Sequence, residues 1–232
     1  PASVDIPGYI ALAGEGRYAD AVKFEIDQAV YSYDIAKALS EEAVSQNKTI
    51  RCHFKLDTGM GRIGFKADGS DTEEIVRGCK LPGIVPYGVF SHFAVADTND
   101  DEYTRQQYAD FISQIESLEA KGIHFEKRHI CNSAGIMRFP EMHLDLVRAG
   151  IILYGLMPPG CPEPPVKLDL KPVMTWYAKV IHVKRIAAGD SVSYGRHFRA
   201  EGETEVATVG IGYADGLSRK LSGNASFLIR GK

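Results

Sequence analysis

"HFKLDTGMGRIGF", residues 53–65, runs a strand pattern straight into a glycine-rich turn. With the three residues before it, the strand reads "IRCHFKLD" over 50–57. Lys55 sits inside the strand and Arg62 in the turn, on a backbone that Gly59, Gly61 and Gly64 leave nearly bare. A cation is thus held at the mouth of a strand, where little else surrounds it.

Outward from this stretch, short β-rich runs alternate with helical patterns from about residue 9 to 157. The other strand candidates are "YIALAG" (9–14), "IVPYGVFSHF" (84–93), "FEKRHIC" (125–131) and "HLDLVRAG" (143–150). Between them, 101–122 carries Tyr108, Phe111, Ile112, Ile115 and Leu118 at spacings of three and four, the single apolar face of a helix. Asp100 or Asp101 suits its N-cap, and Gly122 its C-terminal end. A second helix is predicted over about 33–46. A third covers 71–78, with acids in its first turn and an arginine in its last. Such alternation predicts parallel strands joined by helices, as an open doubly wound sheet or a closed barrel. No GxGxxG follows an early strand, which disfavours the dinucleotide-binding version. Polar residues collect instead at strand ends: Asp57 to Arg62, Ser91 and His92, Asn132 and Ser133, and Arg148 to Gly150. A (β/α)8 barrel places its chemistry at that face.

The texture changes after "GLMPPGCPEPPVKLDLKP" (155–172), which reads as a proline-rich linker. Beyond it, β-rich runs with Ala-Gly-Asp and Ala-Asp-Gly turns predict a mostly β domain over 166–232, following the barrel domain of 1–165. The closing "ASFLIRGK" reads as a strand, so this second domain is expected to be cut short.

Composition narrows the class. Of the 232 residues, 44% are hydrophobic and 25% charged, enough to bury a core. A net charge of −3 gives no basic stripe for nucleic acid. No run approaches the roughly 18 apolar residues of a membrane span. Cys52, Cys79, Cys131 and Cys161 form no CxxC pair, which fits free thiols in a reducing cytosol. The expectation is a cytoplasmic protein with no metal site.

The polar residues at the strand ends each admit two readings. Arg148 is a surface arginine or the partner of Asp145, or it is a cation aimed at an anion beside the close-approach residue Gly150. Asn132 and Ser133 make an ordinary helix cap, or Ser133 is a hydroxyl donor to phosphate. His92 is a satisfied core histidine or part of a site. Tyr194 and Tyr213 are β-domain tyrosines or functional phenols. Residue chemistry alone yields a barrel with an anion site and does not name a reaction.

Five strings in one order resemble the alanine racemase family: "FKLDTGMGRIGF", "VFSHFAVAD", "CNSAGIMRFPEMHLDLVRAGIILYGL", "GDSVSYGRHF" and "ATVGIGYADGLSR". The resemblance spans about 50–232 and is looser over 1–30. It implies a pyridoxal 5′-phosphate enzyme, with an eight-stranded TIM-type barrel and a C-terminal β domain, acting as a homodimer to supply D-alanine for peptidoglycan. Arg148 then matches the arginine at the cofactor's pyridine nitrogen. Ser133, with Asn132 beside it and the N–H groups of Gly150 and Ile151, matches the phosphate cradle. Tyr194 corresponds to the catalytic tyrosine that reaches the other subunit's site, and His92 to the histidine linking it to the arginine. Arg62 corresponds to the arginine beside the phenolic oxygen and the substrate carboxylate, which answers why a cation sits at that strand mouth. Lys55 matches a lysine that is carbamylated in some members, turning a repelling cation into an anionic partner for Arg62. Asp97 and Tyr213 resemble the substrate entryway.

The implied chemistry is physically coherent. Racemisation removes an α-proton and returns one on the opposite face, most simply with two bases. A phenol serves as a base near neutral pH only with positive charge or hydrogen bonding close by. Arginine at the pyridine nitrogen keeps its own proton, so the ring stays a weaker electron sink and side reactions such as transamination are suppressed. The family's imine-forming lysine segment has no counterpart in these residues. The expectation is therefore an internal portion of a racemase, inactive as this chain alone. The alternatives are a serine or broad-specificity racemase of the same build, and a non-catalytic pyridoxal-phosphate-binding barrel.

Overall fold

The computed structural model describes residues 16–165 and 167–229, so the strand expected at 9–14 lies outside the described residues. The chain divides into two compact units, Pro1–Val173 and Met174–Lys232.

In the first unit, helix α1 (Tyr18–Lys23) leads into β1 (Gln28–Val30), α2 (Tyr33–Ser45), β2 (Ile50–Asp57), β3 (Phe65–Lys66) and α3 (Thr72–Cys79). Then follow β4 (Ile84–Phe90), α4 (Asp101–Glu119), β5 (Lys127–His129) and α5 (Ser133–Arg138). The strands pair in the order β1-β2-β4-β5, every pair parallel, with the short β3 beside the end of β2. This is the α/β architecture the alternation predicts. Parallel neighbours need crossover connections, and α2, α3 and α4 supply them.

β2 shows why the sheet holds one set of residues against the helices and another against the interior. Cys52, Phe54 and Leu56 are fully buried and join the apolar core, where Phe54 packs near Phe65 and Phe125 at 6.3 and 6.1 Å between ring centroids. His53, Lys55 and Asp57 alternate with them and so project from the other face. The helices present matching stripes. In α4, Phe111, Ile115 and Leu118 are buried, and Tyr108 and Ile112 pack beside them. Full burial of each such side chain contributes about 1.5–3 kcal/mol. Asp100 caps α4 by accepting from the Tyr103 N–H at 3.0 Å, and Ser32 caps α2 through Ile35.

Two strand expectations fail. Residues 143–150 form no strand: Leu144 has φ of 54°, and Asp145 N–H to Arg128 and Arg148 N–H to Cys131 join the segment to the chain around β5 without forming a ladder. Alternating apolar residues cannot build a strand where a left-handed residue breaks the extended run. Residues 225–229 are likewise not a strand; a ladder needs a partner backbone, and none pairs there among the described residues. Short strands such as β1 and β3 were not foreseen, because two or three residues are too few to show a period.

The second unit contains β6 (Val180–Ile186) paired antiparallel with β9 (Thr204–Val209), and β7 (Ser191–Val192) with β8 (Phe198–Arg199). Gly189 and Gly216 take φ of 86° and 95° in the two turns the sequence marks. No helix among the described residues is long and apolar enough to cross a membrane.

Candidate active site

β2, β4 and β5 are parallel neighbours, so their C-terminal ends lie at one end of the first unit. The glycine turn after β2 is folded by Asp57, whose Oδ1 accepts from the N–H groups of Gly59 and Gly61 at 3.1 and 3.0 Å. Gly59 and Gly64 have φ of 122° and 125°. A Cβ on Gly59 would overlap the Tyr103 hydroxyl, and one on Gly64 would lie 2.9 Å from both Asp57 N and Lys55 O. The bare backbone is a packing requirement. Arg62, exposed in this turn, makes no hydrogen bond or ion pair among the described residues.

Lys55 is 2% exposed and donates to the Leu56 carbonyl at 2.5 Å. Burial first, then Arg148 and Arg62, push its ammonium down to about 8, against the opposing pull of Asp57.

Arg148 is the hub. Its Nη2 donates to the Ser91 carbonyl at 2.6 Å and the Ile130 carbonyl at 3.2 Å, and lies 3.2 Å from His92 Nδ1. Its Nη1 lies 2.5 Å from His129 Nδ1, and the guanidinium sits over the Phe90 ring at 5.3 Å. Asp145, one partner the sequence offered for it, is ion-paired to Arg128 at 2.8 Å. His92 is held neutral: burial, then Arg148, Arg62 and Lys55, lower it to about 4. Because arginine only donates, His92 accepts at Nδ1 and carries its proton on Nε2.

Ser133 begins α5, with its hydroxyl oxygen accepting from the Gly150 N–H at 2.9 Å and the Ile152 N–H at 3.5 Å. It is thus an acceptor here, the reverse of the expected donor role, although its own O–H can still turn outward. Asn132 spends its side chain locally, accepting from the Gly135 N–H at 2.9 Å and donating to the Phe93 carbonyl at 3.3 Å. Ile151 opens the 3-10 turn that follows Gly150. Asp97 lies half-buried in the loop after β4. Tyr194 and Tyr213 belong to the second unit, both in 3-10 turns and not in strands, and both line one cavity of about 990 Å³ there.

Sequence reasoning placed Ser91 at a strand end but missed the contacts that support this site. Thr58 and Ser91 join hydroxyls at 2.8 Å, and buried Gln107 of α4 accepts from Ala94 N–H at 2.9 Å while donating to the His92 carbonyl at 3.3 Å. His53 and His129 were missed as well; each sits among charged strand residues, so no local signal marked them.

Residues 6–158 match the family model described as alanine racemase, N-terminal domain, and residues 173–232 match alanine racemase, C-terminal domain. The chain belongs to the alanine racemase family. It is 48% identical over 201 residues to the alanine racemase of Clostridium tetani, covering 87% of this chain and 52% of that protein. It superposes with a TM-score of 0.85 on the solved alanine racemase of Streptomyces coelicolor A3(2), at 34% identity, covering 93% of this chain and 57% of that one. The Clostridium difficile 630 enzyme solved with cycloserine gives 0.76 at 34% identity, over 88% and 52%. The chain spans about half the length of the curated relatives it matches. Family membership makes the parallel βα unit part of a TIM-type barrel, and the antiparallel unit part of the C-terminal β domain.

Proposed function

We propose that this chain supplies the cofactor face of an amino-acid racemase that interconverts L- and D-alanine and uses pyridoxal 5′-phosphate. The observation that carries this reading is Arg148, a guanidinium fixed by two backbone carbonyls and two histidine nitrogens beside the Ser133–Gly150 pair. The donor set fits the group. Arg148 would face its pyridine nitrogen without surrendering a proton. The Ser133 hydroxyl and the Ile151 N–H would hold its phosphate, joined by the Gly150 N–H on its release from Ser133 Oγ. Arg62 would hold the phenolic oxygen and the substrate carboxylate. Bound there, pyridoxal phosphate supplies an electron sink for the carbanion left when the α-proton departs.

The chain's own residues manage the proton. Tyr194 is the proposed base, presented by a second copy of the protein to the site of the first. It is 83% exposed, between Ser193 and Arg196, whose φ values of 64° and 53° are strained for non-glycine residues. Strain of this kind costs about 1–3 kcal/mol and clusters at functional positions. His92, neutral with a proton on Nε2, has a donor left for that phenol oxygen. Lys55 carries a depressed pKa and is the proposed carbamylation site that would neutralise the cluster. Asp97 and Tyr213 would border the substrate entry path. The cycloserine bound to the Clostridium difficile relative supports a small amino-acid-like substrate.

The test is circular dichroism of L-alanine with the purified full-length protein, with and without added pyridoxal phosphate. Decay of ellipticity to zero, abolished in Arg148→Gln and slowed at least about a hundredfold in Tyr194→Phe, is expected. Cofactor-independent decay, or an unaffected Tyr194→Phe, overturns the reading.

A further inference from the structure

We propose that Asp27 and His53 are positioning residues: with His129 they form a one-way chain that fixes the guanidinium plane of Arg148. The proposal rests on reading Arg148 as the arginine that faces the cofactor.

The direction of the chain follows from donor chemistry. Arg148 Nη1 donates to His129 Nδ1, so His129 carries its proton on Nε2. That nitrogen lies 2.9 Å from His53 Nδ1, which must accept. His53 therefore carries its proton on Nε2, which lies 3.7 Å from Asp27 Oδ2, an electrostatic contact longer than a hydrogen bond. Asp27 is itself oriented by Arg51, whose Nε donates to Oδ1 at 2.8 Å. The Arg148 donor thus sets a single tautomer for two histidines in succession, and the Asp27 carboxylate, outside the ring of residues that faces the cofactor, meets the last N–H electrostatically.

The surroundings are shaped for this arrangement. His129 stacks on Phe90 with ring planes 3° apart and centroids at 5.0 Å, and His53 meets the edge of Tyr87 at 5.6 Å. β4 leaves room opposite His53 at Gly88, where a Cβ would overlap the imidazole. The register of β2 against β4 shifts at this point, pairing Cys52 with Pro86 and His53 with Gly88. Burial is the leading cause that keeps both histidines neutral, with Arg148 acting in the same direction. A second proton on either would set donor against donor and break the chain.

Neutron diffraction of the full-length protein reads the chain directly. The expected map has one deuteron on Nε2 of His129 and of His53 and none on either Nδ1; a deuteron on Nδ1 of either ring overturns the proposal. Binding of pyridoxal phosphate, followed by quenching of intrinsic fluorescence, reads its consequence. His53→Phe and Asp27→Leu are expected to weaken binding about tenfold, while His53→Gln, whose carboxamide oxygen can still accept from His129, restores it to within about twofold. Equal affinity in His53→Phe and the wild type, alongside weakened binding in Arg148→Gln, sinks the chain and leaves the site reading standing. Unchanged binding in Arg148→Gln sinks the site reading itself, while the neutron map still decides the tautomers.

Discussion

Arg148 Nη2 lies 3.2 Å from His92 Nδ1, and the arginine is necessarily the donor. The contact joins the segment after β5 to the loop after β4 and sets which nitrogen of His92 holds a proton. One guanidinium therefore organises two loops and the protonation of the histidine between them.

The depressed histidines make stability fall with acid. A histidine whose folded value lies below its unfolded one binds a proton more readily in the unfolded chain. Its contribution is complete above about 6.5 and is lost as pH falls through that value toward the folded one, about 4 at His92 and about 2 at His129. Calorimetry should show the melting temperature dropping below about pH 6.5, with a shallower drop in His92→Gln. Parallel profiles for the two proteins would contradict this assignment.

Carbamylation of Lys55 should rise with pH. Carbon dioxide is attacked only by the neutral amine, which then loses a proton to solvent as the carbamate forms. With the ammonium held down to about 8, the reactive fraction grows as pH passes that value. Carbon-13 NMR under labelled carbon dioxide should show a carbamate resonance that strengthens from neutral to mildly alkaline pH and is missing in Lys55→Arg. Its absence in the wild type would count against the modification.

The glycine turn should be unequal in its tolerance. Gly64→Ala places a Cβ against the backbone of Asp57 and Lys55 at φ 125°, whereas at Gly61, φ 68°, nothing lies within 4 Å. Urea denaturation should find Gly64→Ala costlier, by about 1–3 kcal/mol in total, with Gly61→Ala near the lower end. Equal costs would mean that the turn rearranges freely.

Gln107→Leu should loosen the loop that carries His92. The change strands the half-buried Ala94 N–H, at a cost of about 1–3 kcal/mol, and removes the donor to the His92 carbonyl. Faster amide exchange confined to 91–98 is the expected signature. Exchange rates identical to the wild type would rule out the tie.

Much of the fold was legible because its signals are local. The run 50–57 is β2 to the residue, since alternation and a glycine stop mark both ends. The helix over 101–122 ends at Glu119, and Asp100 is its cap. The run 143–150 misled, because apolar alternation states a preference while a ladder also needs a partner and an unbroken extended backbone. At the site, Arg62, His92, Ser133 and Arg148 stood out through their strand-end positions and the strings around them.

The sequence by itself determined periods, caps and turns, which depend on residues a few positions apart. Only tertiary structure decided that Asp145 belongs to Arg128 and that His53 and His129 stand in line behind Arg148. Those pairings join residues 17 to 76 positions apart. No local pattern encodes them, because strand order and register choose which side chains share a face, and a histidine's tautomer is fixed by whichever donor the fold sets against it.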